Sequence, residues 1–66
     1  MEISERAKIR LEHWITHNDH HQEEYEIFAE QLDEAGMKES AQHIRDMIGF
    51  TAKSTDCLRK ALKSLT

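Results

Sequence analysis

Four of the chain's five histidines and its only tryptophan, Trp14, lie within residues 13–25. His13, His17 and His21 follow one another at intervals of four. On a helix, neighbours at that spacing lie one above the next, about 6 Å apart, and a His pair so placed can chelate one metal ion. Imidazoles with an optional carboxylate suit transition metals such as Ni, Co or Zn, whereas Ca and Mg require oxygen ligands. The candidate ligands are His17 and His21, with His13 or Glu24 supplementary. His13 and His21 are separated by about 12 Å of helical rise, so one helix cannot wrap all three around a single ion. A complete site needs Glu24, a group from elsewhere in the chain, water or a partner chain. Asn18, Tyr25, Thr51 and Thr55 are the groups expected to orient the imidazoles. His20 and His43 are expected at the surface.

Several sharper signatures are absent. Glu follows neither His13 nor His17, so there is no His-Glu-x-x-His protease motif. The Glu-x-x-His pattern of di-iron bundles is missing, and so is any haem attachment motif. Cys57 has no evident neighbouring base and reads as a small apolar residue. No activated nucleophile is apparent, and the sequence does not read as an enzyme.

The elements that must carry these residues are helices. There is no proline, and the only glycines are Gly36 and Gly49. Good helix formers fill the rest, and no apolar–polar alternation marks a strand. The expected fold is all-α: a single antiparallel helical hairpin over residues 1–66. One helix spans about residues 4–35, beginning at Ser4 as N-cap. A turn at about 36–37 has Gly36 as its left-handed cap, and a second helix spans about 38–64. Placed on wheels, Ala7, Leu11, Trp14, Tyr25, Phe28, Ala29 and Leu32 form one apolar stripe. Met37, Ala41, Ile44, Ile48, Leu58, Leu62 and Leu65 form the facing one.

Both stripes carry a polar gap. Asn18 and His21, with His17 beside them, interrupt the first, and Thr51 and Thr55 interrupt the second. Antiparallel pairing about Gly36 sets Asn18 opposite Thr55 and His21 opposite Thr51. Unpaired buried polar groups cost about 1–3 kcal/mol each. The layer therefore implies a return, which is either a bound metal or a hydrogen-bonded register that fixes helix pairing.

Composition bounds the rest. A core this small rarely supplies more than about 3–5 kcal/mol, and one cysteine allows no internal disulfide. Met47, Phe50, Cys57 and Ala61 widen the apolar face of the second helix beyond what one partner helix covers. A homodimer forming a four-helix bundle is the expected solution. The net charge of −4 argues against a nucleic-acid binder. No segment reaches the length of a membrane span and no secretory leader is recognisable, so the chain reads as soluble and cytoplasmic. Acidic residues crowd positions 12–34 and basic ones prevail after Thr51, so antiparallel helices would attract each other.

The run His13-Trp14-Ile15-Thr16-His17-Asn18-Asp19-His20-His21 is followed by Tyr25, Ala29, Ala35 and Gly36. It resembles a pattern in small uncharacterised prokaryotic two-helix proteins, which carry HWxxHNxxH and an aromatic four residues on. The resemblance covers most of the chain. It implies a two-helix fold and groups His13, Trp14, His17, Asn18 and His21 together. In that pattern the position of Thr55 is often Asn. Two functions follow as expectations: transition-metal binding for storage, sensing or delivery, or a non-enzymatic structural module whose polar layer only sets pairing.

Overall fold

The computed structural model describes residues 2–65; Met1 and Thr66, the ends of the expected domain, lie outside the described residues. Two helices form, α1 (Ile3–Glu34) and α2 (Lys38–Lys63), and they pack side by side along their length. The hairpin is long and thin, 51 × 15 × 11 Å. No helix among the described residues is long and apolar enough to cross a membrane.

The connection is built by Gly36. Its φ of 82° lies in the left-handed region, where an L side chain is strained. Gly36 N–H donates to Asp33 O at 3.0 Å and Met37 N–H to Leu32 O at 2.9 Å. This is the Schellman pattern that satisfies the last carbonyls of a helix. Met37 then opens α2, its carbonyl accepting from Ala41 N–H at 3.0 Å. The space around Gly36 is open, so Gly36→Ala should lower stability through backbone strain alone, by about 1 kcal/mol. Chemical denaturation would measure it.

The N-terminus differs from expectation. Ser4 lies inside α1, and Glu2 occupies the N-cap without a side-chain cap bond. A serine is a favourable cap only where the backbone leaves the helix, and here one further residue is helical.

The seam between the helices is made of small residues. Ala29, Ala41 and Thr55 are buried, flanked by half-buried Ala7, Leu11, Ile15, Tyr25, Ile44, Ile48, Leu58 and Leu62. Trp14 and Phe28, expected in the core, are displaced to the rim, at 46% and 49% exposure. Met37 and Leu65, also placed in the stripe by the wheel, are exposed. The alanines let the backbones approach closely, and a large aromatic does not fit between helices at that separation.

Ion pairs tie the helices together. Arg59 donates to both carboxylate oxygens of Asp19, at 2.8 and 2.6 Å. Asp33 pairs with Arg45 and lies 3.7 Å from Lys38 Nζ. Asp19–Arg59 joins the acidic first helix to the basic end of the second, as the charge pattern expects, whereas Arg45 and Lys38 lie before that end. The hydrogen bond from Arg45 holds the Asp33 carboxyl below its usual value, with the charges of Arg45 and Lys38 acting in the same sense. A depressed carboxyl stabilises the fold above its unfolded pKa of about 4, and that contribution is lost as pH falls through the lower folded value. The melting temperature of the wild type should therefore drop in acid more steeply than that of Asp33→Asn.

Candidate metal centre

The imidazole pair sits near the middle of α1. His17 Nε2 and His21 Nε2 approach to 2.8 Å, with their rings edge to face at a centroid distance of 4.3 Å. His21 turns its other nitrogen, Nδ1, to Glu24 Oε1 at 3.1 Å. A carboxylate only accepts, so His21 donates from Nδ1 to Glu24. With His21 neutral, its Nε2 lone pair then faces His17, and His17 Nε2–H is the donor across the gap. This is the arrangement in which a carboxylate fixes the tautomer of a metal-binding histidine.

The spacing suits a cation after a small adjustment. Two nitrogens at about 2.0–2.1 Å from a tetrahedral Zn lie roughly 3.3 Å apart. The pair must open by about half an ångström, which side-chain rotation on an exposed flank permits. The space between the two nitrogens is where such a cation would bind.

The other expected residues divide. His13 stacks over His17 at 5.9 Å between ring centroids, a contact of faces rather than of nitrogens. Tyr25 is half-buried and lies parallel to His21, its ring 6.0 Å away at 13°. It holds the imidazole from the seam side. Asn18 is half-buried on the same side of the helix. His20 is exposed and reaches Glu24 at 3.7 Å, and exposed His43 lies 3.9 Å from Glu39. Glu24 is therefore shared by His20 and His21.

Thr51 and Thr55, expected to orient the imidazoles, turn their hydroxyl protons to their own helix. The Thr55 hydroxyl donates to Thr51 O at 2.9 Å, and the Thr51 hydroxyl to Ile48 O at 3.0 Å. Helical threonines bond back to the preceding turn in this way, and Thr then presents its methyl group to the neighbouring helix. Among the described residues no buried side-chain polar atom lacks a partner. Neither threonine bond crosses to the first helix. Thr55→Val should accordingly change stability by less than about 1 kcal/mol, because the hydroxyl serves only its own helix. A thermal melt would show it.

The charged side chains that bridge the two helices are Asp19 with Arg59 and Asp33 with Arg45 and Lys38. Charge asymmetry pointed to the segments, but spacing alone did not select these pairs. Among the described residues no group of three or more His, Cys, Asp or Glu is placed to enclose a metal ion. One chain offers two imidazole nitrogens and one orienting carboxylate.

The fold and this flank define a two-helix hairpin that bears an imidazole pair on one side of α1. The chain belongs to the family described as a domain of unknown function, DUF8180, whose model matches residues 7–65. No curated protein and no solved structure matches it.

Proposed function

We propose that this is a small transition-metal-binding protein, acting in storage, sensing or delivery of Ni, Co or Zn rather than in catalysis. The observation that carries this reading is the approach of His17 Nε2 to His21 Nε2, with Glu24 on the remaining His21 nitrogen. An orienting carboxylate behind an imidazole whose free nitrogen faces a second imidazole is an economical chelate for a borderline metal. Exposure on the flank lets an ion enter and leave, which fits delivery or sensing better than a permanent structural site. Isothermal titration of the untagged protein with Ni, Co and Zn salts tests it. Saturable binding supports the reading, and heats no larger than dilution would overturn it.

A second reading is a non-enzymatic interaction module. The exposed Trp14, Phe28 and Phe50 favour it. The part of that reading in which a His-Asn-Thr layer sets register draws no support from the threonines, whose hydroxyls are spent on their own helix. A cytoplasmic location fits either function and belongs to the proposal.

A further inference from the structure

We infer that the metal site is shared: a second copy of this chain packs on the flank carrying His17 and His21, and four imidazoles, two from each copy, surround one ion. The inference rests on the metal-binding reading above and adds the partner that completes its site.

The ion pairs identify the face. Asp19 and Asp33 lie on one side of the buried stripe of α1, and Arg45 and Arg59 on the matching side of α2. Trp14, His17, His21 and Phe28 recur at steps of three, four and seven residues on the opposite side of that stripe, a repeat suited to packing against another helix. Met47, Ser54 and Ala61 hold the corresponding side of α2. One broad face of the hairpin is thus closed by charges, while the other is apolar at both ends with the imidazole pair between.

The exposed area fits a second copy. A compact monomer of 7.8 kDa exposes roughly 4,400 Å². This chain exposes 5234 Å². The excess is close to the area of about 800 Å² that each partner buries in a standard interface.

Symmetry selects the arrangement. The midpoint of Ile3–Glu34 falls between Asn18 and Asp19, inside the His17–His21 pair. A two-fold axis at that level, perpendicular to the helices, sets α1 antiparallel to α1 of the second copy with full overlap. It brings each His17 against the other copy's His21. It also sets Arg10, on the N-terminal side of the pair, near Glu24 of the second copy, on the C-terminal side. Four imidazole nitrogens make a tetrahedral set, and two Glu24 carboxylates offset the charge of a divalent ion. Glu26 and Ala29 line one groove with Arg45 and Ile48. Extending that register places Ser54 at the level of His20, close to the axis and facing its own copy.

Native mass spectrometry with Zn(II) or Ni(II) tests the inference. The expected species is a dimer carrying one ion. His17→Ala/His21→Ala should lose the ion and shift the population towards monomer. Phe28→Glu should lower dimer and ion content together. Ile27→Glu, on the far side of α1 at 58% exposure, should leave both unchanged. Ser54→Cys in a Cys57→Ser background should link to its own copy on mild oxidation. That arm decides the matter if Phe28→Glu loses its helical circular dichroism. One ion bound to a monomer would overturn the shared site while leaving metal binding intact. A dimer that takes up no ion would overturn both. A metal-bound dimer in which Ser54→Cys does not link, or which Ile27→Glu dissociates, would refute this face.

Discussion

His17→Ala and His21→Ala are each expected to weaken binding of Ni, Co or Zn by about 100-fold or more while leaving the fold in place. Each substitution removes one of the two imidazole nitrogens that converge within a chain, and the single imidazole left per chain is no chelate by itself. His17 is exposed and His21 half-buried, so the expected change in stability without metal is within about 1 kcal/mol. Glu24→Gln should behave differently. It keeps both ligands but weakens the hold on the His21 Nδ1 proton, and losing such an orienting carboxylate typically lowers affinity by about 10- to 100-fold. His43→Ala, remote from the pair, should match the wild type. Titration calorimetry on the four variants would separate a ligand, an orienting group and a bystander. Equal affinity across all four would remove His17 and His21 from the site.

Ala41→Leu is expected to have the largest effect on folding. Ala41 has no exposed surface and Ala29 almost none, so a larger side chain has no void to enter and must push the helices apart. Overpacking of this kind costs about 1–3 kcal/mol. A hairpin with a total of about 3–5 kcal/mol from its core can lose most of its stability to one such change. Thermal unfolding followed by helical circular dichroism should show a strongly lowered midpoint. Ala61→Leu, on an exposed position of the same helix, should leave the midpoint of the single chain nearly unchanged.

These two predictions come from different parts of what the sequence reveals. The hairpin was legible because its signals are local. Absence of proline, a lone glycine between two long amphipathic stretches and good helix formers fix two helices and one left-handed turn. Gly36 and the helix bounds follow from that to within a residue. Rotation of the helices was less legible. A wheel groups Trp14 and Phe28 with Ala29 because their angles are adjacent, and it cannot say which edge of a broad stripe meets the neighbour. Close approach at Ala29 and Ala41 decides it, placing the small residues in the seam and the aromatics on the rim.

The site was legible to the same degree. Intervals of four bring His17 and His21 together, and Glu24 lies one turn further on. Their mutual orientation depends on rotamers that the sequence does not encode locally. The threonines show the opposite case. Thr51 and Thr55 interrupt the apolar stripe of α2, but the bond from each hydroxyl to its own helix competes with any bond across the seam. Asp19 and Arg59 are forty positions apart, so only the completed hairpin reveals them as partners.

The most direct test of the central claim is to follow the imidazole nitrogens themselves. Long-range proton–nitrogen NMR spectra of the histidine rings, recorded as Zn(II) is added, report each Nε2 separately. The expected result is that His17 Nε2 and His21 Nε2 shift together and saturate, while His43 does not respond. Uniform small shifts of all five histidines, or none, would contradict a metal centre on this flank.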